Sequence, residues 1–140
     1  MAVIPDSARA VLESAALAHL VTLETDGSPQ VTVVWVGLDG DEIVAAHMPE
    51  NRKVRNIRAD GRVALSVETT TRNAYGLMEY LVIYGTARIT EGGAAALLQR
   101  LAHTYIGPDM TFQPGPDPRP GFITRISVDR IAGVGPWMGG

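Results

Sequence analysis

Two of the three Asp-Gly dipeptides, at residues 26–27 and 39–40, constrain the fold of this chain more than any other feature of its sequence. Asp-Gly is a preferred composition for a tight β-hairpin turn, because glycine adopts the positive φ angle that such turns require. The segments around these turns, His19–Leu23, Pro29–Val36 and Glu42–His47, are rich in β-branched and apolar residues. The first part of the chain is therefore predicted to form a meander of three antiparallel strands.

Hydrophobic periodicity and turn residues assign the remaining elements. Helices are predicted after Pro5-Asp6-Ser7, over Asn51–Ala59 and over Gly93–Tyr105, and strands at Val63–Val67, Leu81–Thr90 and Phe122–Val134, with a polar loop around Thr69–Asn73. Five prolines between Gly107 and Gly121 argue against regular structure there, and we interpret this segment as a loop and candidate lid. Six strands with flanking helices predict one α+β domain over residues 1–140, whose antiparallel sheet curls into a barrel.

Composition narrows the class of protein. The chain has no cysteine, which excludes disulfides, thiolate metal sites and a cysteine nucleophile. Its net charge of -3 argues against general nucleic-acid binding. No apolar run approaches the roughly 20 residues that span a bilayer, and the N-terminus lacks the pattern of a secretory signal. We therefore expect a globular cytoplasmic protein.

The segment 50–62 holds five of the twelve cationic residues of the chain, including its only lysine, Lys53. On a helix, Arg52 lies beside Arg55 and Asn56, and Lys53 likewise lies beside Asn56. A helix N-terminus favours anions through its free N–H groups and its dipole, so these side chains form a candidate phosphate site. The alternative interpretation is a solvated helix face, which is what most charge runs turn out to be.

The chain contains the stretches Asp26-Gly27-Ser28-Pro29-Gln30-Val31-Thr32-Val33-Val34-Trp35-Val36, Lys53-Val54-Arg55-Asn56-Ile57-Arg58 and Arg62-Val63-Ala64-Leu65-Ser66-Val67. Together they resemble the pyridoxamine 5'-phosphate oxidase-like superfamily, over about residues 8–90. Within it, the chain is most similar to the branch that uses the deazaflavin cofactor F420. That branch carries a Lys-x-x-Asn-Ile/Leu motif after the third strand, and Tyr84-Gly85-Thr86-Ala87-Arg88-Ile89 also resembles its fifth strand.

The resemblance implies a six-stranded split β-barrel, known as the FMN-binding split barrel, that forms a homodimer with two cofactor sites at the subunit interface. Arg52 and Lys53 match the basic pair that binds the cofactor phosphate, and Asn56 supports them by hydrogen bonding. Asn51 stands where this branch often has an arginine, which places more of the phosphate binding on Arg52 and Arg55. The residues implied to line the ring and ribityl chain are Thr32, Val34, Trp35, Ala46, His47, Met48 and, from the C-terminal tail, Trp137.

The function that the resemblance implies is F420-dependent oxidoreduction, with hydride transfer between the reduced deazaflavin and an unsaturated or quinone-like small molecule. No catalytic side chain is then required, because the cofactor carries the hydride. Two alternatives stay open. One is an FMN-dependent flavin reductase or oxidase of the same fold, and the other is a non-enzymatic module that binds a cofactor or haem.

Other chemistries find little support in the sequence. His19, His47 and His103 show no metal-ligand spacing, so no metal site is predicted. The Gly-x-Ser-x-Gly motif of serine hydrolases and the Gly-x-Gly-x-x-Gly motif of dinucleotide-binding folds do not occur. For Trp35 and for His47, a purely structural role is the alternative to cofactor contact.

Overall fold

The structure, a computed structural model, describes residues 2–111 and 119–138. Its strands are β1 Ala18–Leu23, β2 Pro29–Val34, β3 Gly37–Asp39, β4 Glu42–His47, β5 Arg62–Arg72, β6 Met78–Glu91 and β7 Phe122–Val134. Its helices are α1 Asp6–Leu12, α2 Arg52–Ala59 and α3 Ala94–Tyr105, and a 3-10 turn, Pro136–Met138, follows β7. The middle of the predicted lid, residues 112–118, lies outside the described residues.

The strands form one antiparallel sheet in the order β2-β1-β5-β6-β7-β4-β3, which confirms the predicted α+β class. β2 and β3 lie at opposite ends of this order, yet only Trp35 and Val36 connect them along the chain. Because consecutive Cα atoms are about 3.8 Å apart, this connection brings the two edges within roughly 11 Å of each other. The sheet is therefore curled into a barrel with its edge strands side by side.

The number of strands in the described residues is seven, so the prediction of six was wrong. The predicted strand Pro29–Val36 ends at Val34, and Gly37–Asp39 forms a separate strand against β4. Between them, the Val36 N–H donates to the Tyr105 hydroxyl, 3.0 Å away, instead of to a neighbouring strand. The sequence did not reveal this break, because Val36 is apolar and β-branched like Val33 and Val34 before it.

The polar loop predicted around Thr69–Asn73 was also wrong, because β5 continues to Arg72 and pairs with β6. The pairing becomes irregular between Glu68 and Arg72. Within this irregular part, the Thr69 hydroxyl donates to the Glu79 carbonyl at 2.7 Å. A side-chain hydrogen bond thus takes the place of part of the ladder and holds a polar sequence in an extended conformation.

Both Asp-Gly turns are confirmed. Gly27 and Gly40 adopt φ angles of 86° and 60°, in the left-handed region that glycine tolerates best. The hairpins β1–β2 and β3–β4 form around them.

Apolar side chains from the strands, α1 and α2 fill the barrel interior. The largest of them are Leu12, Leu20, Ile43, Leu65, Leu81, Ile83 and Ile126. A second, smaller cluster joins Leu97 and Leu101 of α3 to Val44 and Ile123, on the outer face of β4 and β7. In the described part of the chain, no helix is long and apolar enough to cross a membrane.

Candidate functional site

A cavity of about 420 Å³ lies where the ends of β2 and β4 meet the start of α2 and the side of α3. The described residues that line it are Val33, Val34, Trp35, Ala46, His47, Met48, Pro49, Asn51, Lys53, Leu98 and Leu101. Among these are the predicted site residues Val34, Trp35, Ala46, His47, Met48 and Lys53. The fold therefore brings residues from three separate segments to one cavity, named here the Lys53 cavity.

Lys53 is the only residue with a charged side chain at neutral pH among the described residues that line the Lys53 cavity. Its side chain is half-buried, and burial lowers the pKa of its ammonium group from the ordinary value. Within residues 2–111 and 119–138, no hydrogen bond or ion pair engages this group. Because a partly desolvated cation without a counter-ion is unfavourable, an anionic ligand would stabilise the site.

His47 lines the same cavity and is buried at the end of the barrel. Its Nε2 atom is hydrogen-bonded to Oγ1 of Thr124 on β7, at 2.8 Å. Burial, with a smaller contribution from the charge of Lys53, lowers the pKa of His47 to about 4. The imidazole is therefore neutral at pH 7, and among the described residues that line the cavity Lys53 is the one that carries a positive charge.

Trp35 forms one wall of the cavity and also stacks on Tyr105 of α3, with ring centroids 5.3 Å apart and planes inclined by 11°. The Tyr105 hydroxyl accepts a hydrogen bond from the Val36 N–H and donates one to the Ala16 carbonyl at 2.9 Å. These bonds and the stacking hold the indole in place. Trp35 thus packs against Tyr105 and also faces the cavity. A structural role and a contact with the cofactor are therefore compatible for this residue.

The two arginines predicted to share the phosphate binding do not line the cavity. The Arg52 guanidinium forms an ion pair with Glu24, with Nη1 and Oε1 3.0 Å apart. Nη1 of Arg55 donates to the Glu50 carbonyl at 2.7 Å. Successive side chains on a helix are about 100° apart, so Lys53 and these arginines lie on different faces of α2.

Asn51 lines the cavity and caps α2, because its Oδ1 atom accepts a hydrogen bond from the Val54 N–H at 3.1 Å. Asparagine is among the most favourable residues at a helix N-cap. In the sequence, Asn51 stands out only because the related branch often has an arginine at this position. The N-cap preference of asparagine was the signal that would have identified its role.

Three other predicted site residues do not line the Lys53 cavity within one chain. Asn56 is buried, and its Nδ2 atom donates to Thr22 and Gln30 in the β1–β2 hairpin. Oγ1 of Thr32 is buried without a hydrogen-bond partner among the described residues. Trp137 is buried and lines a different cavity, of about 510 Å³, between α1 and β5, where its Nε1–H donates to a backbone carbonyl of β7.

The wall that α3 contributes, through Leu98 and Leu101, was not predicted. The apolar spacing over Gly93–Tyr105 indicated that one face of this helix is buried, but contained no signal of the strands it packs against. Among the described residues, no group of three or more histidine and acidic side chains is arranged to hold a metal ion.

A family model described as pyridoxamine 5'-phosphate oxidase matches residues 4–135, which is nearly the whole chain. No curated protein is significantly similar to the chain.

Several solved structures have the same fold. An F420 reductase is 28% identical, with a TM-score of 0.76, and the match covers 92% of this chain and 98% of that chain. A conserved hypothetical protein from Mycobacterium tuberculosis is 21% identical, with a TM-score of 0.68 and coverage of 95% and 89%. An FAD-binding protein from Mesorhizobium loti is 20% identical, with a TM-score of 0.60 and coverage of 88% of each chain.

Proposed function

The chain belongs to the pyridoxamine 5'-phosphate oxidase family, and we propose that it is an F420-dependent oxidoreductase that acts as a cytoplasmic homodimer. Its reaction in this proposal is hydride transfer between reduced F420 and an unsaturated or quinone-like small molecule. The observation that carries the proposal is the half-buried ammonium group of Lys53 in a largely apolar cavity, where no described residue forms a hydrogen bond or ion pair with it. The similarity to an F420 reductase over nearly all of that protein supports the choice of cofactor.

The residues of the Lys53 cavity fit a flavin-type cofactor. Lys53 stands in the first turn of α2, where free backbone N–H groups and the helix dipole add to its attraction for a phosphate. The rest of the lining, from Val34 and Trp35 to Leu98, is apolar and suits a planar ring system. One end of the cavity therefore favours an anion and the remainder favours an aromatic surface.

At the phosphate itself, the single positive charge of the Lys53 cavity suits the diester of F420 better than the monoester of FMN. The phosphate of F420 is a diester with one negative charge, whereas the phosphate monoester of FMN carries close to two at neutral pH. Of the described residues that line the cavity, Lys53 alone is charged, because His47 is neutral. Arg52 and Arg55, which could have neutralised a second charge, are engaged with Glu24 and the Glu50 carbonyl.

In this mechanism the role of the protein residues is to bind and orient the cofactor. When bound, the deazaflavin supplies the hydride-transferring carbon, so no acidic or basic side chain is needed for the transfer itself. Lys53 holds the phosphate, and the Trp35–Tyr105 pair provides a rigid aromatic wall that limits the orientations of the ring. The apolar lining favours an apolar acceptor as the second substrate.

The homodimer is supported by the position of Val33 on β2. This residue lines the Lys53 cavity, yet 54% of its surface is exposed, and its neighbour on the same outer face, Val31, is 60% exposed. Tyr80 and Tyr84 on β6 extend the exposed apolar face of the sheet. A second copy packed against this face would cover the open side of the cavity and place the cofactor at the subunit interface.

Parallel fluorescence titrations of the purified protein with F420 and with FMN test the proposal. We expect F420 to bind at least about tenfold more tightly, which corresponds to roughly 1.4 kcal/mol. Oxidation of reduced F420 with a quinone acceptor, followed by absorbance, should then be accelerated by the protein. Preferential binding of FMN would support a flavin reductase instead, and tight F420 binding without turnover would support a binding module.

A further inference from the structure

We infer that a buried hydrogen-bonded triangle of Thr22, Gln30 and Asn56 positions Lys53 for anion binding, so that these three residues act through Lys53 and not by touching the ligand. The inference rests on the proposed function, because it assumes that Lys53 binds the cofactor phosphate. It assigns Asn56 a different role from the one that the family motif implied. It also gives two residues of the β1–β2 hairpin a part in cofactor affinity.

The triangle joins α2 to the hairpin through two almost completely buried side chains, Asn56 and Thr22, and the partly exposed side chain of Gln30. Asn56 and Thr22 are 6% and 1% exposed. Nδ2 of Asn56 donates to Thr22 Oγ1 at 3.1 Å and to Gln30 Oε1 at 3.3 Å, and the Thr22 hydroxyl donates to Gln30 Oε1 at 3.0 Å. Nδ2 of Asn56 is therefore engaged with the hairpin, and Asn56 does not line the Lys53 cavity.

These hydrogen bonds determine where α2 lies along the barrel. The apolar contacts of Val54 and Ile57 hold the helix against the core, but apolar burial has no directional preference. Hydrogen bonds between buried polar groups are directional and costly to break, so they select one register and one rotation of the helix. The side chain of Lys53 lies one turn before Asn56 on the same side of α2, so a rotation of the helix moves its ammonium group directly.

No hydrogen bond or ion pair among the described residues holds the Lys53 side chain. Its position therefore depends on the backbone of α2, which is attached to the hairpin at two places. The ion pair of Arg52 with Glu24 is on the surface and contributes little, whereas the triangle is buried. The triangle is consequently the contact whose loss should displace Lys53.

The test replaces Thr22, which does not line the cavity, by an isosteric residue. The Thr22→Val variant should bind F420 about five- to tenfold more weakly, because a displaced ammonium group loses part of a charge-assisted hydrogen bond. Its affinity for the deazaflavin–ribitol fragment, which has no phosphate, should be unchanged. Thr22→Ser, which keeps the hydroxyl, should restore F420 binding. In a Lys53→Ala background, Thr22→Val should have no further effect on F420 affinity.

Equal losses for F420 and for the fragment, or additive losses in the double variant, would show a general structural effect and overturn the inference. Failure of the proposed function gives a different result, namely unchanged F420 affinity in Lys53→Ala alone. If Thr22→Val does not fold, as judged by its thermal unfolding, Gln30→Met removes the shared acceptor from the partly exposed corner of the triangle and is subject to the same expectations.

Discussion

Nε2 of His47 lies 2.8 Å from Oγ1 of Thr124, and both side chains are buried at the end of the barrel. This hydrogen bond adds a side-chain link between β4 and β7, which are already paired through their backbones. The imidazole is shielded from water and lies close enough to Lys53 to sense its charge, and its pKa falls from 6.5 to about 4. Folding therefore keeps His47 neutral over a pH range in which the unfolded chain binds a proton.

Acidification should destabilise the protein through His47. Because the pKa is lower in the folded than in the unfolded state, the contribution of His47 is complete above pH 6.5 and is lost as the pH falls to about 4. The loss is at most about 3 kcal/mol. His47→Gln should flatten the pH dependence of the free energy of unfolding in this range, as measured by urea denaturation.

The acidic groups of Asp26, Asp39 and Asp60 provide the internal comparison. Their pKa values are lowered from 3.8 by hydrogen bonds from Ser28, Arg125 and Arg62, respectively, so they titrate mostly below the His47 range. Their effect on the free energy of unfolding should therefore be the same in the wild-type protein and in the His47→Gln variant. An equally steep loss of stability between pH 6.5 and 4 in His47→Gln would contradict the assignment to His47.

Replacement of Lys53 by alanine should weaken F420 binding by about 1.5 to 3 kcal/mol, or roughly 10- to 150-fold, because it removes a charged hydrogen bond to the phosphate. Arg52→Ala is the matched control, since Arg52 is adjacent and cationic but is exposed and paired with Glu24. Its effect on affinity should stay within about twofold. Fluorescence titration measures both variants, and equal losses would indicate diffuse attraction in place of a specific contact.

Tyr105→Phe should destabilise the fold by about 1 to 3 kcal/mol. The substitution keeps the ring that stacks on Trp35 but leaves the buried Val36 N–H without its acceptor. Urea denaturation should show a lower midpoint with an unchanged m value. Tyr75→Phe removes the same hydroxyl from a side chain that is 90% exposed, and should change stability by less than about 0.5 kcal/mol. A similar effect in the two variants would refute this role of the Tyr105 hydroxyl.

Val31→Glu should weaken the proposed homodimer without unfolding the chain, because it places a charge in the exposed apolar face of the sheet. Light scattering coupled to size-exclusion chromatography measures the change in molar mass. Val3→Glu adds the same charge at another exposed valine outside the sheet and should leave the assembly unchanged. A dimer that survives Val31→Glu would place the interface elsewhere on the molecule.

The barrel and one side of the candidate site could be predicted because their signals are local. The Asp-Gly turns, the strand alternation and the apolar spacing of α2 each depend on residues that are near one another in the chain. The strand break at Val36 was missed because it depends on Tyr105, which lies 69 residues away. The contribution of α3 to the cavity was missed for the same reason, because Leu98 and Leu101 lie far in the sequence from the other residues that line it.

The sequence by itself determined that segment 50–62 is cationic and contains a helix, since charge and helix propensity are properties of the residues themselves. Only the tertiary structure decided which of these cations is available to a ligand. Glu24 neutralises Arg52, and the hairpin residues Thr22 and Gln30 engage Asn56. Lys53 is the one cation among the described residues that line the cavity, and no described residue forms a hydrogen bond or ion pair with it. The reason is that an ion pair or a buried hydrogen bond needs a partner. The curling of the sheet brings these partners together, although they lie 26 to 34 residues apart in the sequence.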